Sequence, residues 1–312
     1  MALKKRYIEN IITELSIELW FNIDFICYGW IIILNINNKI HHIVWYDRDL
    51  NNSTSQLIAK DKNACYEILK TQNIPAIEHQ LFLAPYMQNY IWWNGNRERA
   101  TKYAANFNYQ VVCKSNLWTW GNDVYRITNH QELESYMHKL FNTNRWLCLS
   151  PYYDIQNEYR VIILDDNVEL IYDKIRQSVD WDGFSTILQI IANNYPDINI
   201  SDIDLWKTSL SHILEKWKSI NINRKHNLGK WWISKIVTES SLINKLWSLA
   251  ISSAKAINIR FASVDIAKLS DNSFMIIEIN SWIMMEKFAQ SWDHEYQIAK
   301  NIYTKAIKKI IS

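Results

Sequence analysis

Apolar and polar residues alternate most regularly in two short stretches near the end of the chain. Residues 261–269 and 274–280 both alternate in this way, and a period of two is typical of a half-buried β-strand. The four residues between them, 270–273, are Ser, Asp, Asn and Ser, which are favoured in turns. The pattern predicts a β-hairpin.

Three polar side chains of this hairpin fall on one face. If Asp271 and Asn272 form a two-residue loop, Asp265 lies opposite Glu278, and Asn280 shares their face. The other face is apolar and is predicted to carry Val264, Ile266, Ile277 and Ile279. Two carboxylates and an amide oxygen are ligands that suit Mg²⁺. The alternative is a solvated polar face that meets no metal.

The same periodicity predicts helices and hairpins along the rest of the chain. Helices are predicted at 4–20, 63–71, 96–107, 131–141, 239–256 and 294–311, with a largely helical region at 184–220. Strands are predicted at 23–36, 40–47, 78–82, 109–114, 123–127, 145–150, 158–164 and 168–175. Antiparallel hairpins separated by helices indicate an α+β protein.

Composition excludes several classes of function. The 312 residues are 48% hydrophobic, enough for a core divided over two or three subdomains. The net charge is +2, and no long basic stripe favours nucleic acid or an anionic membrane. The four cysteines are widely spaced, which favours reduced thiols in a cytoplasmic protein. Glu9, Glu14 and Glu18 argue against a signal peptide.

A lysine and a glycine flank a loop in the middle of the chain. Lys114 ends an apolar strand, and Gly121 follows in the loop. Lysine can present its ammonium group to phosphate, and glycine lets the backbone approach a ligand closely. The alternative is a lysine whose stem packs along the strand end.

The predicted hairpin of strands 158–164 and 168–175 carries a second set of charges. Glu158 and Arg160 share a face, so the first can accept hydrogen bonds from ribose and the second can bind phosphate. With a three-residue loop, Glu158 lies opposite Lys174 and can form an ordinary ion pair; with a two-residue loop it does not.

In order and spacing, these segments resemble the ATP-grasp fold, over about residues 55–290. The matching blocks are Asp61-Lys62 with Ile74-Pro75, Val111 to Lys114 with Gly121 and Val124, Glu158 to Ile162, Arg224 to Gly229, and Asp265 with Ile277 to Asn280. The resemblance implies an α+β fold that holds the nucleotide between two subdomains. It also implies three segments: a pre-ATP-grasp substrate-side domain (1–58), a subdomain with the phosphate lysines and mobile loop (59–145), and a subdomain with the hinge, ribose and magnesium residues (146–312).

The resemblance also implies roles for single residues. Lys62 and Lys114 would bind nucleotide phosphates, and Gly121 belongs to the loop that closes over them. Ser150 would lie in the hinge strand beside adenine. Glu158 would accept from ribose, with Lys174 counted among the nucleotide-binding residues.

The remaining implied roles concern the metal and the reaction. Asp265, Glu278 and Asn280 would hold one or two Mg²⁺ ions, for which Mn²⁺ can substitute, against the phosphates of ATP. Arg160 and Arg224, with Asn280, would stabilise the transferring phosphoryl group and an acyl phosphate.

Three features depart from the family pattern, among them a loop with one glycine where relatives often have several. Ser150 and Pro151 stand where many relatives carry a Glu or Gln that reads the adenine amine, and Ser115 follows Lys114 where Pro is usual. These departures concern adenine specificity and loop motion. They leave the predicted metal face unaffected.

The expected activity is that of an ATP-dependent carboxylate–amine ligase, which forms an amide through an acyl phosphate and releases ADP and phosphate. The alternatives are an ATP-grasp kinase that phosphorylates a hydroxyl and a non-catalytic nucleotide-binding scaffold. The expected partners are a small-molecule or peptide carboxylate and an amine. The face of helix 294–311 is either a homodimer surface or solvated.

The substrate side of the predicted site is only coarsely specified. The segment 281–287 follows the metal residues directly, so it is expected to border the substrate pocket. Glu286 there is a candidate to meet a cationic amine. Tyr46, Asp47 and Arg48 of the N-terminal segment are expected to cover the opposite wall.

Overall fold

The computed structural model describes residues 5–90, 97–117, 123–176, 178–180, 182–194, 209–213, 219–221 and 232–311. This part of the chain mixes helices with antiparallel sheets, so the predicted α+β class is confirmed. The helices are α1 (Tyr7–Glu18), α2 (Ser53–Lys60), α3 (Lys62–Thr71), α4 (Arg97–Asn106), α5 (His130–Thr143), α6 (Ile187–Asn194), α7 (Ser240–Ala256), α8 (Glu286–Ser291) and α9 (Asp293–Ile311). Within these residues no helix is long and apolar enough to cross a bilayer.

The strands of the described residues form four sheets. They are β1 (Asn22–Ile26), β2 (Ile31–Ile36), β3 (Lys39–Val44), β4 (Asp47–Arg48), β5 (Gln80–Leu83), β6 (Val111–Ser115), β7 (Val124–Ile127), β8 (Trp146–Pro151), β9 (Ile155–Leu164), β10 (Asn167–Arg176), β11 (Ser178–Asp180), β12 (Ser219–Asn221), β13 (Trp232–Ile236), β14 (Phe261–Leu269) and β15 (Phe274–Asn280). The sheet orders are β1-β2-β3-β4, β13-β10-β9-β14-β15, β11-β12 and β5-β8-β6-β7.

Three predicted elements differ from the structure. The strand expected at 40–47 is divided into β3 and β4. The strand expected at 23–36 is divided into β1 and β2 by a 3₁₀ turn, where Tyr28 has φ 58° and Gly29 has φ 84°. A Cβ on Gly29 would lie 2.9 Å from the Glu9 carboxyl carbon, so this turn requires glycine. The region 184–220, expected to be helical, contains α6 but ends in β12.

The chain folds into two compact units. Unit 1 comprises Met1–Ile77, Glu158–Tyr172 and Ile236–Ser312, and unit 2 comprises Glu78–Asn157 and Asp173–Lys235. This grouping follows compactness. The predicted functional segments, with limits at residues 58 and 145, remain a prediction.

The core of unit 1 lies against one face of the β9-β14-β15 sheet, here called the apolar face. It is built from side chains of alternate strand residues and of α3 and α7: Cys65, Leu69, Tyr159, Val161, Ile163, Leu246, Ala250, Val264, Ile266, Ile276 and Ile279. Because alternate residues of a strand point to opposite faces, Arg160, Ser263 and Asp265 lie on the other side, here called the polar face.

Unit 2 has its own core on one face of the sheet β5-β8-β6-β7. Helices α4 and α5 cover this face, and the buried residues include Phe82, Ala100, Val111, Cys113, Ile127, Leu133, Met137, Leu147 and Leu149. Helix α5 begins at His130, because the Asn129 side chain accepts a hydrogen bond from the Glu132 N–H at 2.9 Å.

The hairpin β14–β15 has the predicted pairing of Asp265 with Glu278, but its loop differs from the predicted one. Leu269 accepts from Asn272 N–H and donates to Ser273, so the loop has three residues, Ser270 to Asn272, and not the predicted two. Asn272 has φ 65°, as the last residue of a three-residue hairpin loop does. This loop alone would shift the register by one residue.

A β-bulge restores the register. Ile266 pairs with Ile276, but Asp265 pairs with Glu278, which leaves Ile277 as the extra residue. The predicted pair of carboxylates is therefore confirmed. The predicted core residue Ile277 is wrong, because the bulge places Ile276 (1% exposed) in the core while Ile277 is half-buried.

The bulge makes neighbouring isoleucines differ in their contribution to stability. Replacing Ile276 with Ala empties a core position and is expected to lower the free energy of unfolding by ~2–5 kcal/mol. Ile277→Ala is the matched control, with an expected cost of about 1 kcal/mol. Denaturant unfolding measures both values, and a larger cost at Ile277 would indicate the register without a bulge.

Candidate functional site

The polar face of unit 1 is organised by an ion pair between neighbouring strands. Arg160 on β9 donates from Nε to Oδ1 of Asp265 and from Nη2 to Oδ2, both at 2.7 Å. The Asp265 residue is 1% exposed. Burial opposes the charge of Arg160, but Asp265, aided by Tyr172 and Glu278, raises the guanidinium pKa well above its usual value. The Arg160 guanidinium therefore stays positively charged.

Glu278 and Asn280 extend this polar face along β15. Asn280 Nδ2 donates to Glu278 Oε1 at 3.1 Å, which turns the amide oxygen of Asn280 away from the carboxylate. Within the described residues no three His, Cys, Asp or Glu side chains form a metal-type cluster. The three predicted ligands are two carboxylates and an amide, and this donor set fits a hard cation such as Mg²⁺.

Ser263 is a member of the polar face that the sequence prediction missed. It pairs with Asn280 across the hairpin, is 1% exposed, and its Oγ has no hydrogen-bond partner in the described structure. The signal was present in the sequence, since Ser263 precedes Asp265 by two residues and so shares its face.

Lys62 begins helix α3 in unit 1. The helix is capped by Asp61, whose side chain accepts from the Ala64 N–H at 2.8 Å. One turn further on, burial, followed by the charges of Glu278 and Asp61, raises the pKa of the Cys65 thiol to about 12. The first turn of α3 therefore lies within electrostatic range of the predicted metal ligands.

The end of β15 is tied to the N-terminal strands of unit 1. Asp47 accepts from Ser281 Oγ at 2.9 Å, from Trp282 Nε1 at 2.5 Å and from Lys60 Nζ at 2.9 Å. The expectation that segment 281–287 and Asp47 border one region is consistent with these contacts. The next residue of β4, Arg48, is buried in the core.

Glu286 has a structural contact that the prediction of an amine-binding residue did not include. Its carboxylate accepts from the backbone N–H of Tyr7 at 2.6 Å and of Ile8 at 3.1 Å. The N–H groups in the first turn of α1 have no acceptor within the helix. A negative charge at this end also interacts favourably with the positive end of the helix dipole. Glu286 therefore caps α1.

Unit 2 places the predicted Lys114 and Ser150 on one face of its sheet. Lys114 pairs with Cys148, and Ser150 pairs with Val112; their side chains are opposite to the core residues Cys113 and Leu149. The buried Ser150 Oγ hydrogen-bonds to His79 Nδ1 at 2.6 Å. His79 is thus the hydrogen-bond partner of the residue that the sequence predicts in the hinge strand.

The structure resolves some of the remaining predictions only in part. The loop between β9 and β10 has two residues. For a loop of this length, the sequence predicts that Glu158 does not lie opposite Lys174. Both side chains are buried, with residue exposures of 9% and 6%. Gly121 and Arg224 lie outside the described residues.

Comparison with solved structures identifies the fold. A bifunctional glutathione synthetase from Pasteurella multocida is similar over 91% of this chain and 40% of its own, with TM-score 0.53 and 16% identity. A D-alanine–D-alanine ligase from Bacillus anthracis is similar over 84% of this chain and 72% of its own, with TM-score 0.53 and 14% identity. The same ligase complexed with ATP matches 75% of this chain and 60% of its own, with TM-score 0.50 and 14% identity.

These similarities establish the ATP-grasp fold and confirm that prediction. This chain spans less than half the length of the glutathione synthetase. No protein-family model and no curated protein matches the sequence.

The Arg160–Asp265 pair is expected to be worth far more than an exposed pair. Arg160→Gln leaves a buried carboxylate without its partner, so it should lower the free energy of unfolding by ~3–5 kcal/mol. The control is Arg260→Gln, which removes an exposed pair with Asp165 joined at 2.7 Å and should cost ~0–1 kcal/mol.

Denaturant unfolding compares these variants with Arg160→Gln combined with Asp265→Asn. The double variant should recover part of the loss, because the unpaired charge is gone. Equal costs at Arg160 and Arg260 would contradict the assigned role of the pair.

Proposed function

We propose that this protein is an ATP-dependent carboxylate–amine ligase, which forms an amide bond and releases ADP and phosphate. The observation that carries the proposal is the cross-strand pair of Asp265 and Glu278, with Asn280 beside it and Arg160 bound to Asp265. This arrangement lies on an ATP-grasp fold. The proposed ligation needs a bound cation and fixed positive charges, and it needs no nucleophilic side chain.

Asp265, Glu278 and Asn280 are assigned to hold one or two Mg²⁺ ions. When bound, the metal would neutralise phosphate charge and polarise the γ-phosphoryl group. Each Asp265 oxygen accepts one hydrogen bond from Arg160, and a carboxylate oxygen has further lone pairs. The ion pair and metal binding are therefore compatible.

Arg160 is assigned a second role beyond orienting Asp265. One edge of its guanidinium, Nε and Nη2, donates two hydrogen bonds to Asp265. These bonds fix the position of the group and leave its other N–H groups to face a phosphoryl oxygen. A fixed cation needs no reorganisation as charge develops during phosphoryl transfer. Arg224 is proposed to stabilise the negative charge of the acyl phosphate later in the reaction.

The remaining assignments concern the nucleotide. Lys62 and Lys114 are proposed to bind its phosphates, Gly121 to belong to the closing loop, and Glu158 and Lys174 to contact the ribose side. Ser150, which is bonded to His79, is proposed to lie beside the base. A Ser–His pair offers different donors from a carboxylate, so adenine would be read differently here than in relatives with Glu or Gln.

The ligase is favoured over the kinase by the nature of the similar structures. The Pasteurella multocida protein is named a glutathione synthetase and the Bacillus anthracis protein a D-alanine–D-alanine ligase. Both names describe joining amino acids, which supports a small-molecule or peptide carboxylate and an amine as the substrates of this chain.

The reaction class can be tested by product analysis with Mg²⁺-ATP and pairs of amino acids or small carboxylates. A ligase releases ADP and free phosphate only when a carboxylate and an amine are both present. A kinase would form ADP without free phosphate. ATP binding that survives Asp265→Ala, with no turnover on any mixture, would indicate a scaffold.

Substitutions in the assigned residues should remove turnover. Glu278→Gln and Lys114→Ala are each expected to lower kcat by at least ~10²-fold, because the first removes a charged metal ligand and the second removes a cation that binds phosphate. The matched controls are Glu239→Gln and Lys102→Ala, which change exposed residues and should keep normal activity. Circular dichroism checks folding, and full activity of either site variant would contradict the assignment.

Metal binding can be measured without turnover. In the presence of ADP, Mn²⁺ should bind and be detected by electron paramagnetic resonance, and Glu278→Gln should weaken this binding by roughly 10-fold or more, since one charged ligand is lost. Glu239→Gln should bind normally. If Glu278→Gln also bound Mn²⁺ normally, Glu278 would not be a metal ligand.

A further inference from the structure

A group of partly exposed aromatic side chains leads from the N-terminal sheet of unit 1 to the residues after β15. The ring centroids of Trp30 and Trp45 are 3.6 Å apart, and Trp45 stacks on Trp282 at 5.5 Å with 21° between the planes. A hydrogen bond from Nε1 to Asp47 fixes the Trp282 ring. Trp282 follows Asn280, a proposed metal ligand, by two residues, so this group of rings begins beside the proposed site.

Phe25 on β1 extends this group at its far end. The Lys5 ammonium lies 6.0 Å from the Phe25 ring centroid, and the guanidinium of the next residue, Arg6, lies 5.0 Å from that of Trp30. Both rings therefore lie against the start of α1, on one side of the sheet. Phe25, Trp30 and Trp45 are 36%, 38% and 36% exposed. The four side chains, here called the aromatic strip, are Phe25, Trp30, Trp45 and Trp282. Large apolar side chains that are grouped and still exposed are typical of a binding surface.

The strand β1, which carries Phe25, also offers main-chain groups. It is an edge strand, which among the strands of the described residues is bonded to β2 alone. Four of its five residues are exposed, so the rest of the chain leaves this strand open. An open edge presents N–H and C=O groups that can pair with one further strand.

The dimensions of this surface favour a peptide as its occupant. The five residues of β1 correspond to ~16–17 Å of extended chain, and the aromatic strip continues from β1 to Trp282. A free amino acid would cover only a fraction of this length. A second copy of the chain fits less well, because two β1 strands paired about their middle residue would bring two Asp24 carboxylates together, and like charges placed opposite are unfavourable.

We propose that one substrate is a peptide, which adds a strand to the open edge of β1 and places aromatic side chains on the aromatic strip. The inference rests on the proposed ligase activity and names its substrate class. Aromatic side chains are favoured because stacked and edge-to-face ring pairs are stabilising beyond the area that they bury. The strip ends two residues from Asn280, so a peptide bound along it extends towards the proposed metal ligands.

Selection from a random peptide library tests this surface without turnover. Phage-displayed random octapeptides are selected on the immobilised wild-type protein, in the absence of nucleotide and metal. The selected peptides should carry aromatic residues at alternate positions, because alternate residues of an added strand face the same side. Fluorescein-labelled synthetic copies should bind the wild type, as measured by fluorescence anisotropy. Phe25→Ala and Trp45→Ala should each weaken this binding by about 10-fold or more, as the loss of a buried aromatic anchor does.

A control variant separates the aromatic strip from aromatic surfaces in general. Trp247 on α7 is also partly exposed, at 44%, and lies outside the strip, so Trp247→Ala should bind the peptides like the wild type. Trp30→Ala replaces Trp45→Ala if the latter fails to fold. Equal affinities of the wild type and the strip variants, or no selected peptide, would overturn the proposal. A wild-type dimer that sedimentation detects and that Phe25→Ala dissociates would assign the edge to a second copy and would overturn it as well.

Paramagnetic Mn²⁺ shows whether the bound peptide reaches the proposed site. With ADP and Mn²⁺ present, the NMR signals from one end of the selected peptide should broaden, and Mg²⁺ in place of Mn²⁺ should leave them sharp. Peptide binding without broadening, while electron paramagnetic resonance detects bound Mn²⁺, would reject the substrate role. Absence of Mn²⁺ binding would contradict the proposed metal site instead, and the affinities measured without metal would still decide whether the peptide binds the aromatic strip.

Discussion

The two-pronged ion pair of Arg160 and Asp265 is the interaction on which the polar face depends. Asp265 is almost fully buried, and an unpaired carboxylate there would be strongly destabilising. Arg160 makes this charge tolerable by binding both oxygens at once. Because the two residues lie on β9 and β14, the contact also fixes these strands side by side. Glu278 and Asn280 are then aligned by the pairing of β14 with β15.

Other polar contacts secure the surroundings of this face through residues distant in sequence. Asp47 binds Ser281 and Trp282 directly after β15, and Glu286 caps the first turn of α1. These contacts join the N-terminal strands and helix to the segment that follows β15. They hold this part of unit 1 in place, and fixed geometry is what the proposed site, which would work by positioning, requires.

Local patterns predicted the face well, and long-range contacts were out of their reach. Alternation alone placed Asp265 opposite Glu278, because strand periodicity is a local property. It could not reveal the bulge at Ile277 or the three-residue turn, whose effects on register cancel at Asp265. Glu286 and Tyr7 are 279 residues apart, and no local pattern links them.

The bulge at Ile277 also bears on how this hairpin can change in evolution. A single deletion between Asp265 and Glu278 that removes the extra residue would leave the two acids facing each other, with the three-residue loop intact. An insertion can likewise be absorbed by a second irregularity. The length of the connecting segment is thereby uncoupled from the alignment of the acids. Homologues with shorter or longer hairpins can therefore retain the same chemistry, and gaps in an alignment at this point need not signal its loss.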